Sequence, residues 1–139
     1  MIKERHFSDF EVGSKDSFTK KITAGDVLKF SEATGDVNPV HLDEEYARKT
    51  IFKKRIAHGM ISAGMISAVL GTKLPGPGAI YMSQTLKFKA PVYLGDELTA
   101  VAEVVAKDSE KKRFTIKTYV ENQDHKVVTE GEALILFNN

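Results

Sequence analysis

From Gly59 to Leu70 the chain carries Met60, Ile61, Ala63, Met65, Ile66, Ala68, Val69 and Leu70, and no charged residue. Folded as a helix, this segment is apolar or small on every side, and a helix that is apolar all round has to be buried. Gly64 and the alanines let neighbouring backbone come close. Leu74-Pro75-Gly76-Pro77-Gly78 then ends the helix with the strongest breakers available. The stretch free of Lys, Arg, Asp and Glu runs from Ile56 to Thr72 and includes glycine and small polar residues. It falls short of the roughly 20 apolar residues that a spanning helix needs. The expectation is a helix buried in protein rather than in lipid.

The material to bury it lies downstream. Leu86-Lys87-Phe88-Lys89, Leu98 to Val104 and Phe114 to Val120 alternate apolar with polar or small residues, the pattern of half-buried antiparallel strands. Gly95-Asp96 and Asn122-Gln123-Asp124 are turn chemistry. A last strand is expected over about Lys126 to Phe137. One apolar sheet face and one buried helix pack most simply with the sheet wrapped round the helix, an α+β arrangement.

Upstream, Thr23 to Asp26 reads as a capping box. Val27, Phe30 and Ala33 then share a helical face, and Gly35 fits the C-terminal stop. Asp43 is placed to cap a short helix through Glu44, Glu45, Tyr46 and Ala47. With 139 residues and no repeat or linker, the chain reads as a single domain, 1–139.

A formal net charge of +1 argues against a nucleic-acid partner and against electrostatic attachment to a membrane. The absence of cysteine excludes disulfides, thiolate catalysis and cysteine-based zinc sites. Met1 to His6 lacks the apolar core of a signal peptide, so the cytoplasm is the expected compartment.

Chemistry concentrates in Thr34-Gly35-Asp36-Val37-Asn38-Pro39-Val40-His41, where helix and strand periodicity both fail. Asn38 precedes proline and is steered away from helical backbone. Asp36 and His41 are therefore expected on a stiff irregular loop that aims both into one cavity. A carboxylate beside an imidazole is what water activation requires, and the imidazole titrates near neutrality. For this string alone, a turn-capping Asp36 and a packed His41 stand as an equal reading.

Ala57-His58-Gly59-Met60 lies directly before the apolar helix. The first N–H groups of a helix lack internal acceptors and carry the positive end of its dipole. The N–H of Gly59 could stabilise an enolate oxygen. Relief of crowding where the helix enters the sheet is the readier explanation of a glycine there. His58 reads as a packing residue rather than a base, and His6 and His125 as solvated. Ser67, on about the same helical face as Gly59, could line a pocket or touch Asp36, although a serine in such a helix usually bonds its own backbone. Lys53-Lys54-Arg55 and Lys111-Lys112-Arg113 could meet carrier phosphates, yet such clusters are usually solvated faces. No histidine spacing matches a helical metal motif, so no metal is expected.

Phe30 to His41 resembles the hydratase motif of the MaoC-like dehydratases, in particular the (R)-specific enoyl-CoA hydratases. The resemblance continues through Leu42, Asp43 and Ala47, Ile56 to Met60, Leu74 to Gly78 and Phe88 to Asp96, and so covers nearly the whole chain. It implies a hot-dog fold, an antiparallel sheet wrapped round a long central helix, and a homodimer or dimer-based oligomer with the site near the subunit interface. It implies Asp36 and His41 as the acid/base pair, the Gly59 N–H as oxyanion donor and Asn38 as a loop-holding residue. The implied reaction is syn hydration of trans-2-enoyl-CoA to (3R)-3-hydroxyacyl-CoA, with the coenzyme A thioester as substrate and no cofactor. The alternatives are a hot-dog acyl-CoA thioesterase, a (3R)-hydroxyacyl-carrier-protein dehydratase and a non-catalytic acyl-thioester binder. The thioesterase is disfavoured because many of that kind place a carboxylate on the central helix, and Gly59 to Leu70 has none.

Overall fold

The computed structural model describes residues 2–139. After a short 3-10 turn at Phe7–Asp9 come β1 (Lys15–Lys21), α1 (Ala24–Thr34), α2 (Pro39–Leu42), α3 (Glu44–Arg48) and α4 (Gly59–Thr72). β2 (Ile80–Gln84), β3 (Lys87–Phe88), β4 (Glu97–Asp108), β5 (Arg113–Glu121) and β6 (Val127–Leu136) complete the chain. The strands form one six-stranded sheet in the order β1-β4-β5-β6-β2, with β3 also on β6, and every pairing is antiparallel. α4 packs against β1, β4, β5 and β6. This is a hot-dog fold.

The short-range signals act as the residues dictate. The Thr23 hydroxyl accepts from the Asp26 N–H, and the Asp26 carboxylate accepts from Thr23 N. Lys20 sits 2.7 Å from that carboxylate. Its bond to Asp26, with the Thr23 N–H next, holds the Asp26 pKa down at about 2. Gly35 takes a left-handed φ of 79°, which ends α1 without the steric penalty a side chain would bring. Asp43 caps α3 through the Tyr46 N–H.

Ile66, Val69 and Leu70 of α4 meet Leu98, Ala100, Ile116, Val120 and Ile135 of the sheet in one core. Burying each such aliphatic side chain contributes about 1.5–3 kcal/mol. The expectation that α4 is buried all round is corrected here. Met60 is 52% exposed, and Gly64, Ser67 and Gly71 are also open. The chain covers only one side of its central helix, although the other side is apolar or small as well.

The inward face of α1 also departs from its pattern. Val27 and Ser31 are buried and Ala33 is exposed. His41 lies not on an irregular loop but in the single helical turn α2. Asn38 caps that turn, its Oδ1 accepting from Val40 N at 3.2 Å, and Pro39 occupies the first helical position. That position suits proline, whose missing N–H would find no partner there. β1, which the sequence did not suggest, forms one edge of the sheet.

Candidate active site

α2 and the start of α4 converge where Asp36, His41 and His58 each bring one oxygen or nitrogen atom within 4.8 Å of the others. His41 is 8% exposed and His58 3%. The two imidazoles stack with centroids 3.8 Å apart and planes tilted 31°. The Phe30 ring also lies against His58, with centroids 4.6 Å apart and planes tilted 46°.

Hydrogen bonds set both tautomers. His41 donates through Nδ1 to the carbonyl of Ile56 at 2.7 Å, and a carbonyl can only accept. In the neutral ring, Nε2 is then a free lone pair. His58 donates through Nε2 to the Asp36 carbonyl at 3.0 Å, and the Ser31 hydroxyl lies 3.0 Å from the same nitrogen. Its Nδ1 is buried without a partner among the described residues, which suits a bare lone pair and not an N–H.

Burial is the largest influence on His41 and pushes its pKa below the ordinary 6.5. The Ile56 carbonyl opposes this, His58 alongside adds to it, and Asp36 opposes it. The net effect is a neutral imidazole at physiological pH, able to accept a proton.

Asp36 lines a groove of about 760 Å³ with Phe30 and Thr34 of α1, Met60, Ala63, Gly64 and Ser67 of α4, and Tyr81, Met82, Ser83 and Gln84 of β2. Regular strand alternation would not turn Tyr81, Met82 and Ser83 to one side. A register shift between Tyr81 and Ser83 achieves it, a common use of a bulge beside a site. A second pocket of about 440 Å³ includes Ala57, Gly59, Phe88 and Thr129, and Met60 borders both.

The model of the MaoC-like domain matches residues 10–127. The chain belongs to the MaoC-like dehydratase family.

This MaoC-like chain is 51% identical over 131 residues to the (R)-specific enoyl-CoA hydratase of Rhodospirillum rubrum, covering 94% of the chain and 90% of that protein. It is 49% identical to the 3-hydroxybutyryl-CoA dehydratase of Methylorubrum extorquens, covering 94% and 82%. Among solved structures, the unliganded R-hydratase PhaJ1 of Pseudomonas aeruginosa superposes with a TM-score of 0.93 at 47% identity, covering 98% of this chain and 87% of that one.

The residues singled out from the sequence fall unevenly about the site. Asp36, His41 and His58 come together. Asn38 supports them by capping the turn that carries His41. Ser67 lies on the groove wall with Asp36, and no hydrogen bond joins the two among the described residues. Gly59 is the first residue of α4. Its N–H has no intrahelical acceptor, and no protein acceptor for it occurs among the described residues. A Cβ at this position would stand 2.8 Å from Phe88 Cδ1, so a larger residue would have to displace that half-exposed ring.

The basic clusters serve packing in part. Arg55 Nε donates to the His41 carbonyl at 2.8 Å, Lys54 lies over Tyr93 and Lys112 over Phe7. Asp36, His41 and His58 are also the group of carboxylate and imidazole donors that come close enough to hold a metal ion. Their arrangement suits it poorly, because imidazole lone pairs lie in the ring planes and stacked, near-parallel planes do not aim at one point. Sequence reasoning missed Ser31 and Ser62. Ser31 carried a faint signal, standing four residues after Val27 on the helix face that turns inward.

Proposed function

We propose that this MaoC-like chain is an (R)-specific enoyl-CoA hydratase, adding water reversibly and syn to trans-2-enoyl-CoA to give (3R)-3-hydroxyacyl-CoA. The observation that carries this reading is a neutral, buried His41 with Nε2 free, next to an Asp36 that itself lines a largely apolar groove. The names of its close relatives support the same chemistry.

Asp36 and His41 hold one water between them. As the water oxygen bonds to C3, His41 Nε2 takes one of its protons, and electron density moves through C2 to the thioester oxygen. The Gly59 N–H stabilises that oxygen. The Asp36 carboxylate stabilises the imidazolium, which returns the proton to C2 from the same face. One hydrogen of the water ends in the hydroxyl and the other on C2, so no cofactor is required. Asn38 and His58 hold the residues that act, and Ser67 borders the acyl groove.

The proposal places the enzyme in the cytoplasm as one hot-dog domain that works as a homodimer or a dimer-based oligomer. Among the described residues, no helix is long and apolar enough to cross a membrane. The exposed side of α4 adjoins the edge strand β2, whose Ile80, Tyr81 and Met82 are also exposed. A second copy covering both would close the groove.

The test is incubation with crotonyl-CoA and longer enoyl-CoAs, following enoyl absorbance, free thiol and product configuration. Loss of absorbance with a (3R) product and no thiol release is expected. Release of CoA without hydration, or a mainly (3S) product, would overturn the reading.

A further inference from the structure

The start of α4 is held by the sheet rather than by a cap of its own. His58 stands at the N-cap position and makes no side-chain capping bond. Ser62 Oγ instead donates to the Gly59 carbonyl at 2.7 Å. That commits its only proton, so the Thr129 hydroxyl, 2.7 Å away, must be the donor to Ser62. Ser62 and Thr129 are 1% and 2% exposed.

Thr129 on β6 is the register partner of Phe88 on β3. The Phe88 ring is the nearest group to where a Gly59 Cβ would stand, with its Cδ1 2.8 Å from that point. A single rung of the sheet thus brings two groups to one glycine: a ring beside its Cα and a hydroxyl relay on its carbonyl. The Gly59 N–H belongs to the preceding peptide and its carbonyl to the following one, and glycine joins the two with the widest backbone freedom of any residue, so the relay fixes the carbonyl side against which that N–H is set. The buried ring of His58 holds the preceding peptide.

We infer that Thr129, acting through Ser62, is a positioning residue that aims the Gly59 N–H at the thioester oxygen. This rests on the reading of Gly59 as the oxyanion donor. The relay itself does not touch the substrate. An apolar pair would fill the same space, so the hydroxyls contribute direction at the helix start.

The test uses the full chain and saturated butyryl-CoA, which has no double bond to hydrate. Difference infrared spectroscopy with a ¹³C-labelled thioester carbonyl reports the hydrogen bond to its oxygen whatever the fate of the acid/base pair. In the native protein the carbonyl stretch is expected to fall on binding. Thr129→Val returns it toward the free value, and Thr129→Ser keeps the native shift. On crotonyl-CoA, Thr129→Val is expected to lower kcat about tenfold, a part of the 10²–10³-fold that loss of a whole donor brings. KM stays within about twofold, because the bond tightens mainly in the transition state, and Thr129→Ser restores kcat. If Thr129→Val does not fold, Ser62→Ala breaks the same relay from its other end, with the same expected readings. A native carbonyl shift and native kcat in these variants would overturn the inference and leave the Gly59 reading intact. No carbonyl shift in the native protein would overturn both.

Discussion

The His41 ring donates through Nδ1 to the Ile56 carbonyl at 2.7 Å, and that bond decides which nitrogen is free. The neighbouring backbone reinforces it. Ile56 N donates to the Val40 carbonyl, and Arg55 Nε donates to the carbonyl of His41 itself. The segment is pinned from behind where Ala57 N donates to the Val92 carbonyl at 2.7 Å. A base held at both ring and backbone loses little freedom when substrate binds.

The first prediction concerns pH. Burial, assisted by His58, lowers the His41 pKa below its ordinary 6.5, with the Ile56 carbonyl and Asp36 opposing. The base works only when neutral, so kcat/KM on crotonyl-CoA is expected to hold near neutrality. It should fall on the acid side with a midpoint below about 6.5. Stability carries the same sign. The unfolded chain binds this proton more readily, so the contribution of His41 is present above about pH 6.5 and is withdrawn as pH drops through that range. An acid limb centred above about 7 would contradict burial as the dominant influence on His41.

His58 separates scaffold from chemistry. Its ring packs against both Phe30 and His41 and donates to the Asp36 carbonyl. His58→Gln keeps an N–H that can reach that carbonyl, so kcat is expected within about tenfold of native, less than a positioned acid or base contributes. His58→Ala removes the ring and leaves the carbonyl unpaired, with an expected loss of about 2–4 kcal/mol in stability by denaturant titration. Full stability in His58→Ala would show that the ring does not brace the Asp36 loop.

The sequence showed the features that depend on neighbours along the chain. Thr23 with Asp26, Gly35 and Asp43 are local caps, and the long alternating strands carry a clear period. Features settled by distant contacts were less legible. Ser31 is buried with its hydroxyl 3.0 Å from Nε2 of His58, 27 residues away, and only its helical spacing from Val27 hints at that. Lys15–Lys21 is a strand because it pairs with β4, although its surface is mostly polar. α4 reads as wholly buried because its residues suit burial on every side, while this chain covers only part of it. Asp36 and His41 stood out through their spacing, whereas the tautomer of His41 rests on Ile56, which carries no side-chain signal.

The open side of α4 and the edge of β2 lead to a prediction about assembly. Ile80 is 52% exposed and Met82 42%. An uncovered apolar edge of this kind invites pairing, and charge placed on it opposes pairing. Light scattering is expected to show a dimer or larger assembly for the native chain and a monomer for Ile80→Lys with Met82→Glu. A native protein that stays monomeric at micromolar concentration would contradict the assembly proposed.

The most direct test of the acid/base pair is steady-state hydration of crotonyl-CoA by Asp36→Asn, His41→Gln and the double variant, with folding checked by circular dichroism. Asp36→Asn keeps the size of the side chain and removes its charge; His41→Gln keeps a hydrogen-bonding group and removes the titratable nitrogen. Each single change is expected to lower kcat by at least about 10²-fold, the contribution of a positioned acid or base. Because both residues hold the same water, the double variant should lose far less than the product of the single losses. Folded single variants that both keep near-native turnover would contradict the mechanism and leave Asp36 and His41 as scaffold.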